Sequence, residues 1–243
     1  MTLPVGLVLA LVLATPAAAG VRPPVGDGPT QLQQLVWKGT PVFCGGDGRR
    51  LVALTFDDGP GPWTLPLVAA LRRTNTPATF FLVGNRIPLW PQGARAAARA
   101  GTLGNHTWTH PHLRRLTPRA VQHQLQTTQM QILETTRQLP AVFRPPYEES
   151  TPRIDRIART LGLVDVRWSV DSGDATGVRP GAIVRNVLTA VRPGSIVLLH
   201  DAHSWNPGVV RAIVRGLHAR RLRPVTLPTL FELDPPTTRA GCR

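Results

Sequence analysis

The sequence contains little of several residue types. Its 243 residues include one lysine, Lys38, one tyrosine, Tyr147, and two cysteines, and aromatic residues make up only 5% of it. There are 14 acidic residues against 28 lysines and arginines, so arginine carries nearly all of a formal net charge of +14. No strand interleaves aromatic with basic residues and no long basic run occurs, so we expect no nucleic-acid partner. A basic surface still favours anionic partners such as cell-wall polymer or membrane lipid.

The N-terminus has no lysine or arginine before its apolar run. Residues 1–20 read MTLPVGLVLALVLATPAAAG, with small residues after an apolar stretch. This pattern predicts a signal peptide cleaved near Ala19 or Gly20, and hence a secreted, extracellular or cell-wall-associated protein. An uncleaved membrane anchor is the alternative. The run is short and proline-interrupted, whereas a span needs about 20 apolar residues, so we expect no membrane span after cleavage.

The two cysteines lie towards the ends of the chain. Cys44 precedes the first predicted strand, and Cys242 is the next-to-last residue. An even number of cysteines in a secreted chain permits a disulfide. We predict a Cys44–Cys242 bridge between the N-terminal entry and the C-terminal tail. Two unpaired thiols are the alternative.

Residues 51–233 alternate short apolar runs with helical stretches, several of which begin at proline. Residues 21–50, rich in glycine and proline, are predicted as a linker or lead-in, and residues 234–243 as a C-terminal tail. The chain lacks a dinucleotide fingerprint, a phosphate-cradling glycine-rich loop and heptads. Strand–helix alternation indicates an α/β fold with a parallel sheet, and six or seven units favour a barrel. The predicted strands are Leu51–Phe56, Ala78–Val83, Ala141–Phe143, Val164–Val170, Ser195–Leu199 and Arg223–Leu227, with a short run at Thr102-Leu103.

Two adjacent acids, Asp57 and Asp58, follow the first predicted strand in the segment LTFDDGP. Alone, they are typical of a turn. Further on, NHTWTH places His106 and His110 four residues apart, so that both can bind one metal ion if the segment turns helically. Imidazoles and a carboxylate suit a borderline divalent ion. Since α/β barrels carry their chemistry at the C-terminal ends of strands, we prefer a functional site to a turn and surface histidines.

Three more ionisable groups follow apolar strands, in FRPPY, VDSGD and LLHD. With TFDDG and HTWTH, in this order, they resemble the polysaccharide deacetylase family, carbohydrate esterase family 4, with its nodulation-type chitooligosaccharide deacetylase homology domain. The resemblance covers roughly residues 50–232. It implies a distorted, incomplete (β/α)7-type barrel with one catalytic domain, residues 51–233. It also implies metal-dependent hydrolysis of N-acetyl groups in an N-acetylglucosamine polymer, peptidoglycan or chitin-like. We expect a monomer with a polysaccharide substrate.

The resemblance implies a role for each acid of the first block. Asp58, His106 and His110 would hold one divalent ion, with zinc preferred and Co²⁺, Ni²⁺ or Mn²⁺ as alternatives. A bound ion lowers the pKa of its water towards about 7 and polarises the acetyl carbonyl. Asp57 would be the general base. Arg144 would orient Asp57 and bias its pKa.

The remaining blocks are assigned in the same way. His200 would protonate the leaving amine as general acid, and Asp171 would orient His200. The backbone N–H of Tyr147 would bind the oxyanion. Tyr147 and Leu198 would contact substrate, Leu198 as a wall of the acetyl pocket.

Two positions depart from the family pattern. Ala175 stands where the family usually has a tryptophan that walls the groove, and Trp205 or Trp108 are the candidates to replace it. Glu148 stands where glycine is frequent, which puts the choice of sugar in question. Neither position is a proposed metal ligand, acid or base, so the resemblance still predicts activity.

Three alternatives remain at this point. An acetylxylan O-deacetylase of the same family would use the same residues on an ester. A non-catalytic cell-wall carbohydrate-binding protein would keep the groove, although every proposed catalytic residue is present. Two histidines and a carboxylate also form the facial triad of non-haem Fe(II) oxygenases, but those folds are antiparallel β-barrels.

Overall fold

Eight parallel strands form one curled sheet. The structure, a computed structural model, describes residues 30–201, 203–204 and 206–236. Strands β1 to β8 span Leu51–Gly59, Ala78–Leu82, Gly101–Asn105, Val142–Phe143, Val164–Asp165, Val170–Asp171, Ile196–His200 and Arg223–Val225. Their order is β5-β4-β3-β2-β1-β7-β6, and β8 pairs with the start of β1. The curled half-barrel confirms the predicted incomplete (β/α)7-type barrel. The predicted signal peptide, Cys242 and Trp205 lie outside the described residues.

Local sequence signals fix where the helices begin. Helices α1 to α8 span Gln31–Lys38, Thr64–Arg73, Pro91–Ala100, Pro118–Thr136, Pro152–Thr160, Pro180–Ala190, Asn206–Ala219 and Leu227–Leu233. Helices α3 to α6 and α8 have proline in the first turn, where its missing N–H costs no hydrogen bond. Threonine side chains cap the N-termini of α1, α4, α5 and α8. Within the described ranges, no helix is long and apolar enough to cross a membrane.

The predicted strand Val164–Val170 is wrong: the structure has two short strands there, β5 and β6, at opposite edges of the sheet. Residues 166–169 cross the gap between these edges. The N–H of Val166 donates to Phe143 of β4, and the N–H of Ser169 donates to Ile196 of β7. One continuous segment of chain therefore serves both edges of the open barrel.

The described part of the predicted lead-in packs onto the domain. Thr30 and Gln33 form a capping box at the start of α1, and Leu35 is buried. Val42 pairs with Val166 in the gap of the barrel, and Cys44 pairs with Ser195. Cys44 is buried, and its bridge to Cys242 stays a prediction. At the other end, the predicted strand Arg223–Leu227 stops at Val225, since Thr226 caps helix α8.

The side chains of strand β1 alternate between the outer helices and the barrel interior, where the site lies. The even-numbered residues Val52, Leu54 and Phe56 pack against the outer helices, whereas Leu51 and Ala53 belong to the interior cluster. Because successive side chains on a strand alternate between faces, residues 55 and 57 also face the barrel interior. Asp57, near the C-terminal end of β1, therefore faces the open end of the half-barrel.

Candidate active site

A β-bulge lets two adjacent carboxylates face the same site. The register between β1 and β2 shifts between Phe56 and Gly59, and Asp58 has a left-handed backbone with φ 72. Neighbouring residues of a regular strand point to opposite faces, but a bulge re-aims one of them. Asp57 therefore keeps the interior direction of β1, and Asp58 turns towards the same cleft.

Asp57 is held by a fully buried arginine. Arg144 Nη1 donates to Asp57 Oδ1 at 2.8 Å and to Thr55 Oγ1 at 2.8 Å. The other guanidinium nitrogens donate to the carbonyls of Val166 and Arg167, both at 3.0 Å. Burial lowers the pKa of Arg144, and the charge of Asp57 opposes that effect. The predicted pairing of Arg144 with Asp57 is present, and it fixes the orientation of the carboxylate.

Exchanging Arg144 for methionine should lower the free energy of unfolding by about 3–5 kcal/mol, because Asp57 would keep a buried charge without its partner. Urea denaturation measures this loss. The double variant R144M/D57N removes both charges and should lose less than R144M alone. A loss below about 1 kcal/mol, the scale of an exposed ion pair, would contradict the argument from burial.

The predicted metal ligands form one cluster. His106 Nε2 lies 3.5 Å from Asp58 Oδ1, and His110 Nε2 lies 3.3 Å from the same atom. One ligand atom from each of the three residues lies within 4.8 Å of the others. The chain therefore offers two imidazole nitrogens and one carboxylate oxygen to a single ion.

The histidine pair is brought together by a loop and not by a helical turn, the condition under which the sequence allowed the two rings to meet. Thr107 and His110 have left-handed backbones with φ 67 and 57. The N–H of Thr107 donates to Asn105 Oδ1, and the N–H of His110 donates to Thr107 Oγ1. The side chain of Gln124 on α4 accepts from the backbone of Trp108. Asn105 and Gln124 thus shape the site, and sequence reasoning missed both.

The outer nitrogens of both imidazoles are occupied, which fits metal binding. His106 Nδ1 lies 2.7 Å from the carbonyl oxygen of Arg144, and His110 Nδ1 lies 3.1 Å from Tyr147 Oη. A hydrogen bond at Nδ1 leaves Nε2 as the ligand atom. Burial and the neighbouring His106 lower the pKa of His110, which favours the neutral ring that metals require. Burial raises the pKa of Asp58, but the surrounding histidines outweigh it and the net shift is downwards.

His200 is oriented by Asp174, which corrects the prediction that Asp171 does so. His200 Nδ1 lies 2.7 Å from Asp174 Oδ1, and the N–H of His200 donates to Asp174 Oδ2 at 2.7 Å. Asp171 is exposed, and its carboxylate accepts from the N–H of Gly173. The left-handed turn at Gly173, with φ 76, sends the second acid of the VDSGD block inwards.

The hydrogen bond to Asp174 keeps His200 protonated at neutral pH. Burial lowers the pKa of His200, but the hydrogen bond to Asp174 and the charge of Asp57 outweigh it and raise the pKa to about 9. The ring is therefore protonated below that pH and loses its proton as the pH rises through it. His200 can donate a proton at pH 7, as a general acid must.

A cleft of about 520 Å³ opens at the C-terminal ends of the strands and joins these groups. Every described residue predicted for the site lines it, except Arg144, which is buried behind Asp57. Leu198 lies in the wall, and Tyr147 is left-handed with φ 57. Such strained backbone is often found at functional sites.

The aromatic wall comes from a residue that sequence reasoning missed. Trp168 lines the same cleft as Ala175. Trp108, one of our two candidates, lies against Gly84, where an added Cβ would meet its indole. Trp205 lies outside the described residues. Trp168 belongs to the segment predicted as plain strand, so its position gave no signal in the sequence.

Comparisons with known proteins agree with this geometry. Residues 45–166 match the family model for polysaccharide deacetylase. A chitooligosaccharide deacetylase of Bradyrhizobium sp. (strain ANU 289) is 38% identical over 199 residues, which cover 80% of this chain and 87% of the relative. A bifunctional xylanase/xylan deacetylase of Cellvibrio japonicus is 36% identical over 191 residues, or 78% of this chain, but the match spans only 28% of that longer protein.

A solved structure shares the fold. The crystal structure of the Bc1960 peptidoglycan N-acetylglucosamine deacetylase superposes with a TM-score of 0.75 and 32% sequence identity, covering 81% of this chain and 95% of that one. The half-barrel, the ordered motifs and the comparisons lead to the same conclusion: the chain belongs to the polysaccharide deacetylase family, carbohydrate esterase family 4.

Proposed function

We propose that this chain is a secreted or wall-associated, metal-dependent deacetylase that removes N-acetyl groups from an N-acetylglucosamine polymer, with peptidoglycan as its preferred substrate. One observation carries the proposal. The ligand cluster, Asp57 and His200 all border one cleft, and each of the last two is held from behind by a buried partner, Arg144 and Asp174. Amide hydrolysis needs these three functions together: an electrophile, a base and an acid.

Asp58, His106 and His110 would hold the ion, and the mixed nitrogen and oxygen donors suit zinc. When bound, such an ion polarises the acetyl carbonyl and lowers the pKa of a bound water towards about 7. The protein residues do the rest. Asp57, fixed by Arg144, takes the proton of the attacking water, and the backbone N–H of Tyr147 donates to the oxyanion that forms on the substrate.

His200 completes the reaction by protonating the leaving group. Its Nδ1 is held by Asp174, so Nε2 carries the proton towards the cleft. Transfer of that proton to the leaving nitrogen releases the sugar as a free amine, and acetate is the second product. Leu198 and Trp168 supply apolar surface in the same cleft, for the acetyl methyl group and the sugar ring.

Asp174→Asn should move the alkaline limb of the pH–rate profile to lower pH. The hydrogen bond to Asp174 raises the pKa of His200, so without the carboxylate His200 loses its proton at a lower pH. A shift of one pKa unit corresponds to about a tenfold loss of rate on that limb. The limb is measured as kcat against pH on an N-acetylglucosamine tetramer.

Asp171→Asn is the matched control, because it makes the same chemical change at an exposed acid three residues earlier. Its alkaline limb should coincide with that of the wild type. A limb that moves in D171N and stays in D174N would return the orienting role to Asp171.

The choice of substrate rests on the charge and the N-terminus. A net charge of +14 serves no step of acetyl hydrolysis, but it suits an enzyme that works among anionic wall polymers. The signal-like N-terminal residues support a location outside the cell. The relatives' names cover chitooligosaccharide, xylan and peptidoglycan, which supports an acetylated glycan as the substrate class.

Acetate release across peptidoglycan, chitin oligomers and acetylxylan tests the proposal. At equal enzyme concentration, acetate should be released from peptidoglycan and chitin oligomers faster than from acetylxylan. Rapid turnover of acetylxylan with none on peptidoglycan would make the chain an O-deacetylase instead. A properly folded, metal-loaded protein that releases acetate from none of them would point to a non-catalytic wall-binding protein.

A further inference from the structure

A second cleft lies at the opposite end of the sheet from the active site. Its volume is about 640 Å³. It is bordered by the C-terminal ends of α2 and α3 and by β8, at the end where strands β2, β3 and β8 begin. The active site lies where the strands end, so the two clefts face different sides of the domain.

Three arginines from three different elements line this second cleft. Arg72 lies on α2, Arg99 on α3 and Arg223 on β8, and all three are exposed. In the described part of the chain, no hydrogen bond or ion pair engages any of the three guanidinium groups. Nor does an acidic residue occur in the described lining. The fold thus brings together three positive charges and leaves them without a counter-charge.

The helix ends offset only part of this charge. The C-termini of α2 and α3 point to this cleft, and each contributes about −0.5 of an elementary charge. Three guanidinium groups against two such ends leave about +2. Asn75, also in the lining and exposed, adds a neutral amide donor. The excess exceeds what a single carboxylate would balance, and guanidinium groups match phosphate oxygens with paired N–H donors.

The lining also bears on the type of partner. No aromatic side chain occurs among its described residues, whereas single-stranded nucleic acid is held by stacking on aromatic rings. The large exposed apolar side chains of the described chain all lie outside this lining, so the cleft lacks the apolar border that an interfacial membrane contact uses. A phosphate-bearing polymer in water fits better than either.

We propose that this arginine cleft binds the phosphate groups of an anionic cell-wall polymer. Binding there would hold the enzyme on the wall and leave the active-site cleft free for the glycan. The wall as the location rests on the proposed function, whereas the affinity for phosphate rests on the three arginines alone. The cleft would concentrate the enzyme without taking part in hydrolysis.

The test compares two triple variants with equal charge. R72Q/R99Q/R223Q removes the cleft charges. R119Q/R185Q/R215Q removes three exposed arginines from α4, α6 and α7 whose side chains also lack partners within the described residues. Both variants lower the net charge by three. The readouts are affinity for short-chain inorganic polyphosphate, binding to purified bacterial cell wall before and after removal of its phosphodiester polymers, and kcat/KM on a neutral N-acetylglucosamine tetramer.

We expect the cleft variant to bind polyphosphate and intact wall at least about tenfold more weakly, since each charged hydrogen bond is worth about a factor of ten. The control variant should stay within about twofold, as exposed charges far from the ligand are screened. Wall stripped of phosphodiesters should bind both variants equally. Turnover of the neutral tetramer should be the same in wild type and in both variants.

Equal losses in the two variants would overturn the proposal, because general charge and not the cleft would then hold the polymer. DNA and anionic vesicles serve as further probes. If the cleft variant binds either of them more weakly than the wild type does but binds wall equally well, the proposal is overturned and a different partner is indicated. Failure of the proposed function appears separately, as absence of acetate release from the tetramer by every protein, wild type included.

Discussion

Replacing His106 by alanine should strip the metal ion from the protein and abolish acetate release. Only three described residues form the ligand cluster, and loss of one leaves an imidazole and a carboxylate, too few for a stable site of this type. Metal content by mass spectrometry and acetate release from an N-acetylglucosamine tetramer measure both effects. His123→Ala, at an exposed histidine on α4, is the control and should match the wild type.

The position of His106 makes the H106A variant a strict test of the ligand assignment. His106 is buried and its Nδ1 is held by the carbonyl of Arg144, and the nearby carboxylate of Asp57 is itself held by Arg144. A purified H106A protein that keeps one ion per chain together with its turnover would contradict the ligand set.

Asp57→Asn should keep the metal and lose kcat by about 10²–10⁴-fold, the usual contribution of a general acid or base. An asparagine has nearly the same shape and can still contact Arg144, but it cannot accept the proton of the attacking water. Asp58→Asn, the same change at the neighbouring residue, should lose the metal as well as the rate. The two variants thus separate the base from the ligand.

Metal content and kcat on the tetramer are measured on the same preparations. Circular dichroism and urea midpoints check that both variants fold. A D57N protein that turns over like the wild type would remove Asp57 from the reaction. Loss of metal in D57N with metal retained in D58N would exchange the two roles.

The sequence predicted the convergence of the site because a parallel barrel brings the C-terminal ends of its strands together. Asp57, Asp58 and His200 end strands β1 and β7, whose residues 57 and 200 are register partners. His106 follows β3 and Arg144 follows β4. Each of these residues came next to an apolar run that was recognisable in the sequence.

The parts that sequence reasoning missed depend on backbone turns and on distant contacts. The choice between Asp171 and Asp174 is made by the left-handed turn at Gly173. The break between β5 and β6 depends on Val42, whose carbonyl accepts from the N–H of Arg167, 125 positions later in the chain. Neither feature leaves a periodic pattern, and hydrophobic periodicity is the main signal that a single sequence offers.

The support of the histidine loop was hidden for a similar reason. A spacing of four residues fits one helical turn, so a helical turn was the condition under which the sequence let His106 and His110 bind one ion. The structure reaches the same convergence with two left-handed residues and the side chain of Gln124, 14 positions after His110. Spacing therefore predicted that the two rings meet, but not the backbone that brings them together.

The most direct test of the account is a zinc titration of chelator-treated protein, with acetate release from an N-acetylglucosamine tetramer as the readout. We predict no release without metal, a rise in proportion to the zinc bound, and saturation at one ion per chain. Undiminished release from the metal-free protein, or no release at any zinc content, would contradict it.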